Sequence, residues 1–580
     1  MKSIKIIALL LSVITIFQAC KDDTPAVVPI PTITTTGNLA GVPGSTVQIK
    51  ASINAPGGVK TITVLKNGSA FDTQTGTGQT TLEYSKDYVV ESLPANSVVN
   101  FTIQVTDNGG QTSSLTTIPV TVSAIPAPTV VTVEGNLEGN ITWTADKIYK
   151  LKGFVRLGTE ATFGTVSKTA TLTIQPGTLI VGERASKGTL VVQRGSKLIA
   201  EGTAAKPIVF TSERLAGERE PGDWGGIVIC GRAINNLPDA QANRELEGGY
   251  GAFHGGADNT DNSGSLKYVR VEYAGIPVNP NQEVNSFTFG SVGAGTTLEY
   301  LQASFGLDDA FEWFGGNVNA KYLIAYKGLD DDFDVDNGFS GNVQYGIGIR
   351  GATQADISGS NGFEVDNDAA GSNNTPFTSA TFANMTIIGP KGSLITTISP
   401  QFQNGIQLRR NNKLKIYNTV VTGYPNGVYI DSQRGDAKGN AAKGDIVLRN
   451  VVVAGLAGWG SNGFGQGDAN LPRGFAIADN EQSTAAPAIL IGTQKPSEWF
   501  VAQAGNKVLA NTSTLGLSAS LWATGRPTFT LATASDLKSV NLPATLPAFF
   551  ARTTFVGAFN DTDWTAGWSE FNPQTLTYLK

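Results

Sequence analysis

Residues 308–316 read Asp-Asp-Ala-Phe-Glu-Trp-Phe-Gly-Gly, residues 330–338 read Asp-Asp-Asp-Phe-Asp-Val-Asp-Asn-Gly, and residues 362–368 read Gly-Phe-Glu-Val-Asp-Asn-Asp. Successive side chains of a strand point to opposite faces. Setting Phe311, Phe333 and Phe363 in register therefore turns them inward together with Trp313, Val335 and Val365. Glu312, Asp334 and Glu364 then form an outward row, with Asp336 and Asp366 two residues further on. A second kind of strand alternates with these: Leu298–Ala303, Ala320–Ala325, Leu414–Thr419 and Ile446–Val451, followed by Gly306, Gly328, Gly423 and Gly455. Those glycines lie 22, 95 and 32 residues apart, and Gly351 and Gly389 end similar strands inside the long gap. Leu172–Thr178, Leu190–Val192, Leu198–Ala200 and Pro207–Thr211 continue the pattern upstream. Coils of this kind, with inward aliphatics, predict a parallel β-helix over residues 130–580. Crossovers between parallel strands are nearly always right-handed, so the solenoid is expected to be right-handed. A β-propeller needs four antiparallel strands at a fixed period, which the variable spacing does not offer.

Composition agrees with an all-β chain. Of 580 residues, 16% are charged and 68 are glycine, which argues against a coiled coil, a helical bundle and a disordered chain. The net charge of −6 leaves no basic surface for nucleic acid. His254 is the single histidine, so histidine metal sites and Ser–His–Asp networks are poor fits, and it reads as a loop residue of a Gly-rich insertion. Cys230 has no partner for a disulfide once Cys20 is acylated.

The N-terminus carries an address. Lys2 and Lys5 precede the apolar run Ile6–Phe17, which is too short to span a bilayer, so residues 1–19 are expected to be a signal peptide. Gln18-Ala19-Cys20 resembles a bacterial lipobox, and Lys21-Asp22-Asp23 resembles the surface-export signal of Bacteroidota lipoproteins. The resemblance implies acylation of Cys20, which would hold the protein in the outer membrane, facing the exterior. Residues 20–31 read as a Pro-rich tether. Residues 32–124 alternate short strands and turns, among them Asn67-Gly68, and predict an immunoglobulin-like β-sandwich serving as a spacer.

The chemistry concentrates in one stretch. Residues 306–368 hold twelve acids against Lys321, Lys327 and Arg350, a local charge of −9 in a chain of −6. Like charges stacked at strand spacing repel by roughly 1 kcal/mol per pair in water. Hard oxygen ligands from several segments suit Ca²⁺, with Glu312, Asp332, Asp334, Asp336, Glu364 and Asp366 as the expected ligands. Were the protein an enzyme, Asp334, Asp366 and Arg409 would be its catalytic candidates, although Arg409 reads more readily as the counter-ion of the acids. Trp224, Trp459 and Tyr424 stand near turns where rings can stack on sugars or proteins, and the insertions at 431–444 and 457–470 are candidate binding loops.

The three acidic motifs, with the ending Phe555–Trp568, resemble a family of bacterial β-helix surface lipoproteins. The resemblance covers about residues 130–580 and implies a fold and a location, and it brings no catalytic residues with it. The function expected from all of this is binding of an extracellular polysaccharide or of an outer-membrane transport or secretion partner. A calcium-dependent polysaccharide lyase or glycoside hydrolase and a structural adhesin are the alternatives.

Overall fold

A computed structural model describes residues 27–124, 128–238, 244–456, 476–479 and 490–578. Cys20, Trp459 and the whole insertion at 457–470 lie outside the described residues. The chain divides into two compact units, Met1–Ala127 and Pro128–Lys580.

The first unit packs a three-stranded sheet (Thr32–Thr35, Thr46–Asn54, Thr81–Val89) on a five-stranded one (Leu39–Gly41, Thr116–Val122, Val98–Asp107, Val59–Lys66, Ser69–Thr75). Alternation decides which residues meet: Ile49, Ile53 and Tyr84 face Ile62, Val64 and Phe101 across the sandwich. Asn67 and Gly68 take φ of 46° and 82° between the paired Lys66 and Ser69, the positive pair that a two-residue hairpin requires.

The second unit winds 23 strands into one continuous parallel sheet, the β-helix that the sequence predicts. Its strands stack in three faces. One face stacks Thr189–Val192, Ile227–Cys230, Phe287–Val292, Phe311–Gly316, Phe333–Asp336, Phe363–Val365, Asn404–Leu408 and Asn426–Ile430. Its register pairs Phe311 with Phe333 and Phe333 with Phe363, and on the outside Glu312 with Asp334 and Asp334 with Glu364. Inside, the rings of Phe287, Phe311, Phe333 and Phe363 stack with centroids 5.2, 5.8 and 5.1 Å apart.

The other two faces come from longer strands that bend once. Tyr268, Tyr300, Tyr322, Tyr345, Asn384, Asn418 and Asn450 occupy the bend in successive coils, all with positive φ. Asparagine tolerates that region, whereas the tyrosines are held there by their neighbours: their rings stack at 4.4, 4.3 and 4.9 Å. The C-terminal segment lies along this corner and runs back towards earlier coils. Asn450 donates to Asn541 O, Asn418 to Val540 O, Asn384 to Gly557 O and Gln302 to Glu570 O. Trp568 stands edge-on to Tyr268 and Tyr300, and Arg219 donates to Pro573 O. No helix among the described residues is long and apolar enough to cross a membrane.

Candidate functional site

The outward row of the first face forms the floor of a cavity of about 520 Å³. Glu312 and Asp334 reach it from adjacent strands, and Asp308, Asp309 and Asp330 from the turns that precede those strands. Glu247, from an insertion, and Glu283, from the hairpin of Pro277–Asn279 and Gln282–Glu283, form one wall, and Asp356 with Ser358 forms another. Among the described residues, eight carboxylates and no basic side chain line this space. Three groups bring carboxylate oxygens within 4.8 Å of one another: Asp308, Asp309 and Asp330; Asp309, Glu312 and Asp334; Asp331, Asp334 and Glu364.

Local hydrogen bonds hold these acids in place. Asp309 Oδ1 accepts from the Asp331 amide at 2.8 Å, Asn285 donates to Glu312, and Ser358 donates to Asp330 Oδ2 at 3.1 Å. Asp330 Oδ1 is buried without a hydrogen-bond partner. Burial, and then the charges of Glu247 and Glu283, push the Asp308 carboxyl up to about 8. Burial, followed by the charges of neighbouring carboxylates, holds Asp309, Glu312, Asp330 and Asp334 well above the usual carboxylate range. An uncompensated cluster of this kind takes up either protons or a cation. Its donors are hard oxygens throughout, and the site fits Ca²⁺, which tolerates irregular oxygen shells better than Mg²⁺ does.

Three of the expected ligands, Asp332, Asp366 and Asp336, are placed elsewhere. Asp332 is fully buried against Arg350, with Nη1 to Oδ1 at 2.8 Å, and points away from the outward row. It belongs to the turn before the strand, so the alternation that sets Asp334 does not extend to it. Asp366 is gripped by Arg409 Nε at 2.8 Å and Arg410 Nη1 at 2.6 Å, and Arg409 also binds Glu364. Arg409 is thus a counter-ion, and the pairing removes it and Asp366 as free acid–base groups. Asp336 accepts from the Asn337 amide and lines a neighbouring cavity of about 460 Å³ beside His254 and Phe314. His254 is buried, with Nδ1 2.9 Å from Ser291 Oγ, and burial lowers it to about 3, so it is neutral.

Trp224 and Tyr424 are not surface rings. Trp224 fills the space over Gly182, where a Cβ would come within 2.3 Å of it, and its Nε1 donates to Glu272 O at 2.7 Å. Tyr424 lies in the core with its hydroxyl 3.4 Å from Asp332 Oδ2. The insertion at 431–444 forms the short helix Ala437–Lys443 and, through Asp431 and Arg434, lines a third cavity of about 280 Å³ with Gln407, Arg409 and Arg410. Glu247 is common to the first two cavities and Ser358 to the first and third, so the three adjoin along one face. Glu247, Glu283, Asp308, Asp309, Asp330 and Asp331 are not among the expected ligands. The doubled acids at 308–309 and 330–331 are visible in the sequence as charge, whereas nothing local marks Glu247 or Glu283.

The profile of a pectate-lyase-like β-helix domain matches residues 135–470. The chain belongs to that family. The pectate-lyase-like domain thus accounts for more than half of the sequence and for the coils that carry all three cavities. Among solved structures, the chain is similar to the family 28 exopolygalacturonase of Yersinia enterocolitica (11% identity, 73% of this chain and 91% of that one, TM-score 0.17). It is also similar to the GH87 α-1,3-glucanase of Streptomyces thermodiastaticus (11%, 80% and 91%, TM-score 0.19). A fibronectin(III)-like module of Clostridium thermocellum CbhA is 14% identical over 16% of this chain and 97% of its own, with a TM-score of 0.13. None of these likenesses bears on activity. No curated protein matches the chain.

Proposed function

We propose that this β-helix protein binds an extracellular polysaccharide at the bacterial surface through a cation, Ca²⁺, held in the acidic cavity. The observation that carries the reading is the set of eight carboxylates around one cavity, with no basic side chain among the described residues that line it. The adjoining cavity, with Arg409, Arg410 and Gln407, supplies donors along the same face for the next part of an extended ligand. Family membership supports a carbohydrate as that ligand. A binding role fits better than a lyase or hydrolase because Arg409 and Asp366 are already committed to ion pairs.

Polygalacturonate, whose carboxylates ligate calcium, is the first polymer to test. Affinity electrophoresis should show retardation in millimolar Ca²⁺ that EDTA abolishes, with no shortening of the polymer. Retardation unchanged in EDTA would refute the cation bridge, and chain shortening would replace binding by catalysis. Anchoring through an acylated Cys20 in the outer membrane, in a Bacteroidota-type surface lipoprotein, is part of the same proposal. Cys20→Ala should move the protein from the membrane fraction to a soluble one, and continued sedimentation with membranes would count against the anchor.

A further inference from the structure

We infer that Arg350 is the positioning residue of the acidic cavity: its buried guanidinium clamps both ends of the turn Leu329–Asp332 and thereby presents Asp330 and Asp331 to the cation. This rests on the cation reading above. Arg350 Nη1 donates to Asp332 Oδ1 at 2.8 Å and Nη2 to Leu329 O at 3.0 Å. The two contacts bracket the pair of acids that belong to separate carboxylate groups, Asp330 with Asp308 and Asp309, and Asp331 with Asp334 and Glu364.

Leu329 O also accepts from Ser360 Oγ at 2.6 Å and from the Asp356 amide at 2.9 Å. One carbonyl thus ties the acidic turn to the loop that brings Asp356 and Ser358 to the cavity wall. The clamp is built into the fold. Arg350 stands at the end of the strand Asn342–Ile349, its amide donates to Ile388 O at 3.0 Å, and its guanidinium lies 5.5 Å from the Phe402 ring centroid. Gly348 leaves the space that Asp332 occupies: a Cβ there would come within 2.2 Å of Asp332 Oδ2. A lysine in place of Arg350 carries the charge but cannot span two acceptors as a fork does.

The test compares the full chain with Arg350→Met, Arg350→Lys and Arg194→Met, each by calorimetric Ca²⁺ titration and by melting in EDTA. Arg194 forms another buried pair, with Glu160, and its loss serves as the control for general destabilisation. Both Arg350 variants should weaken Ca²⁺ binding by about 10–100-fold, the usual effect of removing a group that orients ligands. Arg194→Met should melt earlier with an unchanged dissociation constant. Should Arg350→Met fail to fold, Arg350→Lys decides. A wild-type affinity in the folded Arg350 variant, or an equal loss in Arg194→Met, overturns the inference and leaves the cation reading standing. A wild-type protein that takes up no Ca²⁺ overturns both.

Discussion

The double variant Asp309→Asn, Asp334→Asn is expected to lose the Ca²⁺ response entirely while gaining stability in EDTA. Asp309 belongs to two of the three carboxylate groups and Asp334 to two, so the pair removes a ligand from every group. At a hundredfold excess over its dissociation constant, a ligand of the folded state alone adds about 2.7 kcal/mol. Unfolding a unit of this size carries an entropy of about 2.1 cal/mol/K per residue, so that increment raises the melting temperature by about 3 °C. Without the cation the sign reverses. Each carboxylate pair removed relieves a repulsion of about 1 kcal/mol or more. The Asp331 amide, 2.8 Å from Asp309 Oδ1, keeps an acceptor, because the side-chain amide introduced at that position retains a carbonyl oxygen. Scanning calorimetry with and without Ca²⁺ checks both halves. A variant that melts below the wild type in EDTA would mean that the acids are structural and not a cation site.

The second large effect is on pH. The Asp308 carboxyl stands at about 8 and Glu247 at about 7, both raised first by burial and then by neighbouring carboxylates. Unfolded carboxylates titrate near ~4. The folded state therefore holds more protons than the unfolded one between about pH 4 and pH 8, and stability falls as pH rises through that window. With one pKa unit equivalent to about 1.36 kcal/mol and Glu247 screened by solvent, the metal-free protein should lose a few kcal/mol between pH 5 and pH 8. Saturating Ca²⁺ replaces the protons, so the slope should flatten. Melting curves at several pH values in EDTA and in Ca²⁺ measure this directly, and a metal-free melting temperature that climbs towards pH 8 would contradict it.

The sequence carries the fold because the solenoid repeats its rules at close range. Period-two alternation around Phe311, Phe333 and Phe363 sets both the inner stack of rings and the outer row of acids, and the register agrees. The site is less legible, for three physical reasons. Asp332 sits one residue before a strand, in a turn where alternation has no meaning, and its partner Arg350 comes at the end of the following strand. Glu247 and Glu283 reach the cavity from an insertion and a hairpin that lie outside the repeat. Trp224 and Tyr424 stand beside glycines in the sequence, which read as turns, but their rings pack inside over glycines of other strands, Gly182 for Trp224 and Gly405 for Tyr424. Arg409, in contrast, is readable as a counter-ion because it follows the outer row by a single coil.

The C-terminal segment changes how such an array can come apart. In an ordinary solenoid each repeat contacts only its neighbours, and the ends can fray independently. Here residues 540–578 meet side chains from Asn450 back to Arg219, including the tyrosine stack at the corner. Contacts at a sequence separation of more than 350 residues, such as Arg219 with Pro573, must wait until the whole chain is present, and loop closure of that kind is slow. The coils are thus laid down in order but fastened only at the end, as by a zip drawn back over the row, so that unfastening one coil requires releasing those before it.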